Sequence, residues 1–209
     1  MRSKIGVLDL QGGVLEHLTH LEALGLEPVA VKKAEQLEDL AGIIFPGGES
    51  TCMIRLLRIF ELEVPIKEAF SDGMKIWGTC AGAILIANEV VGEKPNLQLM
   101  NITVDRNAFG PQIDSFHETA VIPAISDEPL ELTFIRAPQI TAVEDEVQVL
   151  HRTNGIVTAA ETENCLATSF HPELSGSTAF HRYFAEKCGV SVKQNSTSIS
   201  DKAWMQRKR

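Results

Sequence analysis

The sequence predicts an α/β protein of three layers, a mostly parallel central sheet with helices on both faces, with a small antiparallel strand region in its second half. Three observations carry that reading. Strand-like and helix-like segments alternate through the first half, which implies crossovers and parallel strands. Glycine-rich turns follow the apolar runs at Gln11-Gly12-Gly13, Pro46-Gly47-Gly48 and Gly78-Thr79-Cys80-Ala81-Gly82. The second half instead shows short strand-like runs, two of them separated by Asn154-Gly155, a hairpin turn signal.

The elements follow in order. Residues 5–10 form an apolar run broken only by Asp9. Val14, Leu15, Leu18, Leu21 and Leu24 recur at helical spacing, and Gly25 stops that helix. Strands follow at 28–31 and 41–45, then a helix over 51–60 with Ser50 or Thr51 as its N-cap. A short helix at 65–70 leads into a strand from Met74, the Cys80 turn and a helix from Ala83. Strands are expected at 101–106, 118–122, 132–135, 146–152 and 156–160. Residues 166–170 return to the main sheet, and 177–187 form a closing helix that ends near Gly189. Residues 1–189 read as one domain and 190–209 as a polar basic tail, a frayed extension or an interaction arm.

Composition narrows the function. A chain of 209 residues with 44% hydrophobic and 22% charged residues has enough apolar material for one full-sized core. The net charge of −9 argues against a nucleic-acid surface. The tail carries five basic residues against Asp201, so its +4 sits on a body of −13. No apolar run approaches a membrane span, and the N-terminal run is too short for a signal peptide, so the expected compartment is the cytoplasm. Four widely spaced cysteines without a Cys-x-x-Cys fit reduced thiols, with Cys52, Cys165 and Cys188 read as packing residues. The histidines make no metal-like cluster, so neither metal nor cofactor is expected; His17 and His20 read as surface residues.

The segment around Cys80 carries the chemistry. A strand, a tight turn and a helix with glycine on both sides of a cysteine form a nucleophile elbow with Cys in place of Ser. The helix N-terminus after it would favour a thiolate. The competing reading is a buried cysteine beside a glycine turn. In Ser169-Phe170-His171-Pro172-Glu173, His171 and Glu173 lie two apart, on one side of an extended chain. Glu173 would hold one imidazole nitrogen, leaving the other to take a proton from Cys80. Pro46-Gly47-Gly48-Glu49-Ser50-Thr51 lies at the carboxyl end of a strand, where ligands of open α/β sheets bind. Its amides suit an anion or an oxyanion, or the turn simply needs glycine. Arg106 and Arg136 follow strands and offer forks for a carboxylate, though most such arginines are simply solvated.

Together these residues resemble the class I, or triad, glutamine amidotransferases, a flavodoxin-like fold. Among them the chain is most similar to the glutaminase subunits of pyridoxal 5′-phosphate synthase. The resemblance runs from Ile5 to about Gly189 through Leu10-Gln11-Gly12, Gly47-Gly48-Glu49-Ser50-Thr51, Gly78-Thr79-Cys80-Ala81-Gly82, Arg106-Asn107 with Phe109-Gly110, Asp114-Ser115-Phe116, Ile135-Arg136-Ala137-Pro138 and His171-Pro172-Glu173. It implies Cys80 as nucleophile, His171 as general base and acid, and Glu173 as the orienting carboxylate. It implies L-glutamine held by Gly48, Glu49, Ser50, Arg106, Ile135 and Arg136, and an oxyanion bound by the amides of Gly48 and Ala81. It implies a synthase subunit as partner, in a large hetero-oligomer, receiving ammonia through the protein interior. The Gln11-Gly12 turn and first helix, with Glu16 and His17, fall at that docking face by the same resemblance.

Four features depart from the family pattern: Asp9 in place of a small residue, His117 in place of Glu, few glycines at 90–97, and the basic tail. Three rivals remain. A glutaminase of another biosynthetic synthase would continue the elbow as Gly-Met-Gln, where this chain has Gly82-Ala83-Ile84. A non-catalytic scaffold would not need Cys80, His171 and Glu173 together. A free cysteine hydrolase would not need the two arginine segments.

Overall fold

The computed structural model describes residues 2–106 and 115–192. The expectations on Asn107, Phe109, Gly110, Asp114 and most of the 190–209 tail lie outside the described residues.

The chain opens with β1 (Lys4–Leu8), α1 (Val14–Ala23), β2 (Val29–Val31), β3 (Leu40–Phe45), α2 (Ser50–Ile59), α3 (Glu63–Ser71), β4 (Lys75–Thr79) and α4 (Ala81–Ile86). It continues through β5 (Ala87–Val90), β6 (Met100–Asp105), β7 (Phe116–Ile122), β8 (Ser126–Phe134), β9 (Gln139–Val143), β10 (Gln148–Thr153), β11 (Ile156–Glu161), β12 (Cys165–Thr168) and α5 (Ala179–Lys187). The central sheet runs β2-β1-β3-β4-β12-β11-β9-β6-β5, with β10 paired to β11. From β2 to β12 every pairing is parallel. The antiparallel region is of two kinds. β11, β9, β6 and β10 extend the central sheet, while β7 and β8 pair as a separate hairpin.

Alternation along the strands builds the layers. In β3, Leu40, Ile43 and Phe45 pack with Met53 and Leu57 of α2 and Ile66 of α3. Ala41 and Ile44 face the other way, toward Val14 and Leu21 of α1 and Phe180 and Phe184 of α5. β4 repeats the split, with Ile76 on the first face and Trp77 on the second. The sheet is thus sandwiched, and its parallel strands end where the glycine-rich turns begin. No helix among the described residues is long and apolar enough to cross a membrane.

Several expectations change. β1 ends at Leu8, and Asp9 turns out to an ion pair with Lys32 at 3.2 Å. The α2 cap is Glu49, not Ser50 or Thr51: its carboxylate reaches the amides of both Thr51 (3.0 Å) and Cys52 (2.6 Å). The apolar run after Cys80 is two elements, a six-residue α4 and then β5, because the five apolar residues Ala83-Ile84-Leu85-Ile86-Ala87 in a row carry no period. β9 has no counterpart in the sequence reading; only one of its residues, Ile140, is fully buried. The Asn154-Gly155 hairpin forms as expected, both residues at positive φ between Thr153 and Ile156. Cys165 is buried, Cys188 half-buried and Cys52 exposed, so Cys52 is not a packing residue.

Candidate functional site

The site forms where the turns after β3, β4 and β12 meet. Cys80, between β4 and α4, has φ 48° and ψ −106°, a conformation that costs a non-glycine residue about 1–3 kcal/mol. The strain thus sits on the cysteine itself. The flanking glycines serve a different purpose: a methyl group on Gly82 would run into the Phe45 carbonyl, and one on Gly78 into the Gly82 backbone. The turn is pinned by the Cys80 amide donating to the Thr168 carbonyl at 2.8 Å. The Cys80 sulfur lies 3.8 Å from the Ile135 carbonyl and is nearly buried.

His171 and Glu173 come together, but not on a strand. β12 ends at Thr168, His171 is fixed by its amide to the Thr133 carbonyl, and Glu173 sits in the middle of a 3₁₀ turn over Pro172–Leu174. The turn swings Glu173 back so that His171 Nδ1 meets its Oε1 at 2.8 Å. Cys80 acts on the same imidazole through a side-chain hydrogen bond. Burial alone would depress the His171 pKa; the hydrogen bonds to Cys80 and Glu173 override it and raise it to about 10. Burial would raise Glu173, yet His17 and His171 hold its carboxyl below the usual range. Burial pushes the thiols of Cys165 and Cys188 up to about 12, which leaves them inert.

The Gly47-Gly48 turn covers this group. A methyl group on Gly47 would overlap the His171 ring and come 3.3 Å from Cys80 Cβ. It is therefore Gly47 that abuts the cysteine, with Gly48 next in the chain; Ala81 likewise follows Cys80 and is buried. The turn is braced from the β1–α1 connection: Gly13 N–H donates to the Gly47 carbonyl (3.0 Å), and Glu49 N–H donates to Gln11 Oε1 (2.8 Å). Gly12, at φ 102°, has room for no side chain against the Gly47 carbonyl.

Arg106 joins the Glu49 side of the site. It donates to Glu49 Oε1 at 2.7 Å, to Thr51 Oγ1 at 2.9 Å and to Glu93 Oε1 at 3.4 Å. Ser50 is buried at the start of α2. Ile135 brings its carbonyl to Cys80 and exposes its side chain, and Arg136 follows at φ 45°, exposed. No contact joins Arg136 to Cys80 or Arg106 among the described residues.

His17 and His20 overturn the surface expectation. Both are buried, and so is His181 of α5. His17 Nε2 lies 3.4 Å from Glu173 Oε2 and 3.3 Å from Thr79 Oγ1, while its Nδ1 meets His181 Nε2 at 2.8 Å. A fully buried His17 also cannot contribute to a docking face, whereas Glu16 is half-buried. The signal was present in the sequence: His17 falls three after Val14 and four before Leu21, inside the apolar stripe of α1.

A curled, mostly parallel sheet with a separate antiparallel hairpin and a cysteine at the end of a central strand is the fold of the class I glutamine amidotransferases. A solved structure described as a glutamine amidotransferase superposes with a TM-score of 0.84 at 41% identity, over 89% of this chain and 99% of that one. The chain belongs to the SNO glutamine amidotransferase family, which it matches over residues 7–190. It is 50% identical over 207 residues to the pyridoxal 5′-phosphate synthase subunit PdxT of Syntrophus aciditrophicus (strain SB), spanning 99% of this chain and 92% of that protein. It is 52% identical over 182 residues to the subunit of the same name from Clostridium beijerinckii, spanning 87% and 96%. The resemblance read from the motifs is borne out at the level of family and fold.

Proposed function

We propose that this chain is the glutaminase subunit of a pyridoxal 5′-phosphate synthase, with Cys80, His171 and Glu173 as its catalytic triad. The observation that carries the reading is His171 bridging the Cys80 thiol and the Glu173 carboxylate, in a chain half identical to synthase subunits. With its pKa raised to about 10, His171 carries a proton at neutral pH. Sulfur attacks the carboxamide carbon of L-glutamine, and the C=O π electrons move onto oxygen. The amides of Gly48 and Ala81 receive that oxyanion; one such donor is worth on the order of a hundredfold in rate. His171 then gives its proton to the departing nitrogen, and ammonia leaves as the C–N bond breaks. Water, deprotonated by His171, cleaves the glutamyl thioester to glutamate and restores the pair.

Gly48, Glu49, Ser50, Arg106, Ile135 and Arg136 line the approach and bind the amino-acid end of glutamine. Arg106 and Glu49 neutralise each other in the structure, so together they offer a cation to the α-carboxylate and an anion to the α-ammonium. Ammonia released into water would be protonated and lost as a nucleophile, so the product passes to a synthase subunit docked on this chain in a large hetero-oligomer. Residues 1–189 act as one domain, in the cytoplasm, without nucleic acid or membrane.

The test is glutamate release from glutamine with and without a pyridoxal phosphate synthase subunit, with Cys80→Ala as blank. Activity that rises with the partner and vanishes in the variant is expected. Activity indifferent to the partner points to another amidotransferase or a free hydrolase, and inertness in both arms leaves a scaffold.

A further inference from the structure

We propose that His17 of α1 is a positioning residue for the catalytic carboxylate, donating its Nε2–H to the second oxygen of Glu173 in a tautomer that His181 fixes. The inference rests on the triad reading above and adds two residues to it.

Glu173 is a buried carboxylate with one engaged oxygen. Oε1 accepts from His171, while Oε2 is buried without a short hydrogen bond and faces His17 Nε2 at 3.4 Å. That gap is about half an ångström longer than a good N–H···O bond, and catalytic hydrogen bonds often tighten only around substrate. A carboxylate held at one oxygen can swing; held at both, it fixes the imidazole that it orients.

The surroundings choose the tautomer. Four elements face His17: Glu173 and His171 from the turn after β12, Thr79 and the Trp77 ring edge from β4, His181 from α5, and His20 from α1 itself. If Nε2 bore a lone pair, it would point at a carboxylate oxygen. With the proton on Nε2, a donor sits beside that oxygen, its hydrogen bond in the structure made to Thr79 Oγ1 at 3.3 Å and Oε2 3.4 Å away, and Nδ1 accepts from His181 Nε2–H at 2.8 Å. His181 Nδ1 then carries a lone pair, and it is the atom left buried without a partner among the described residues. The opposite arrangement would strand an N–H at that atom, which folded proteins avoid more strictly than an idle acceptor. Thr79 fits the same direction. Its hydroxyl lies 3.5 Å from the Phe45 carbonyl and can donate there, turning a lone pair toward Nε2–H. His20 stacks on His181 at 4.4 Å between ring centres, with its nitrogens against the carbonyls of Glu16 and Ser175, which holds α1 and the turn after β12 in register.

The experiment compares glutamine hydrolysis by His17→Leu and His17→Gln in the presence of the synthase subunit, with wild type and Cys80→Ala as references. Gln keeps a donor near the position of Nε2; Leu removes it. Leu is expected to lower kcat about ten- to a hundredfold with KM changed less than about threefold, and Gln to recover to within about fivefold of wild type. A folded Leu variant with kcat within about threefold of wild type overturns the proposal. A second readout needs no variant to fold. Histidine ¹⁵N shifts of the wild-type protein at neutral pH are expected to report a neutral, Nε2-protonated His17, and an Nδ1-protonated ring or an imidazolium overturns the proposal. Failure of the triad reading has its own signature: wild-type turnover that survives Cys80→Ala.

Discussion

Acid should unfold this protein through its buried histidines before its carboxylates titrate. His17 is wholly buried, and loss of solvation lowers its pKa from 6.5 to about 4, with Glu173 raising it in part and His20 and His171 lowering it further. His181 and His20 are depressed by burial in the same way. The unfolded chain binds these protons below about pH 6.5 and the native chain does not, so stability falls as pH falls through that range. For His17 alone, a depression from 6.5 to about 4 at 1.36 kcal/mol per pH unit amounts to about 3 kcal/mol. That is a large share of the 5–15 kcal/mol typical of a domain. The assay is urea unfolding followed by tryptophan fluorescence at half-unit steps from pH 7.5 to 5.0. That range stops short of ordinary carboxylate titration, and each proton taken up on unfolding gives a slope of about 1.4 kcal/mol per pH unit. Replacing His17 by Gln should reduce the slope by about one proton. A stability flat between pH 6.5 and 5.0, or a slope unchanged in His17→Gln, would refute the reasoning. His171 has the opposite sign: its raised pKa contributes stability below about 6.5 that is lost as pH rises through about 10.

Further outcomes follow from the packing. Gly47→Ala puts a methyl group into the His171 ring, so glutamate release should drop by about a hundredfold or more while the melting temperature moves by only a few degrees. Gly82→Ala drives a methyl group into the Phe45 carbonyl beneath the elbow, and its cost of about 3 kcal/mol should appear as a lowered urea midpoint. Glu49→Ala removes the α2 cap and the Arg106 partner together; it should cost about 1 kcal/mol in unfolding and raise KM for glutamine, and an unchanged KM would remove Glu49 from the binding role.

The fold and the heart of the site were legible because both are written in local patterns. A cysteine between glycines at a strand end and a histidine two residues before a glutamate each pointed to the right residues, although the His171–Glu173 contact is made by a 3₁₀ turn and not by the extended chain that the spacing suggested. The details that were not legible depend on distant partners. Glu49 outcompetes Ser50 and Thr51 as a cap because Arg106, 57 residues away, steadies its carboxylate from the other side. His17 resembled a surface residue because its partners, Thr79, Glu173 and His181, come from three remote segments. A histidine in an apolar stripe can be assigned to the core from its spacing; its partners cannot.

Those distant partners also explain how so short a helix can organise both sides of one cysteine. From its leading turn, α1 holds the Gly47–Glu49 loop through Gly13 and Gln11, and one turn further on it meets Glu173 through His17. The loop and Glu173 both lie against His171. The loop's amides depend on its exact path, and the imidazole depends on its carboxylate. A shift of α1 would reach both, because the turn leading into it is hydrogen-bonded to the loop and its His17 Nε2 lies 3.4 Å from Glu173 Oε2. The glycines at 12 and 47 are the cost of this closeness: two backbones meet where no side chain fits. A helix packed by Val14 and Leu21 on one core thus carries, on the same face, the polar atoms that align a buried ion pair. Burial does both jobs, excluding water that would loosen the carboxylate and strengthening each remaining dipole directed at it.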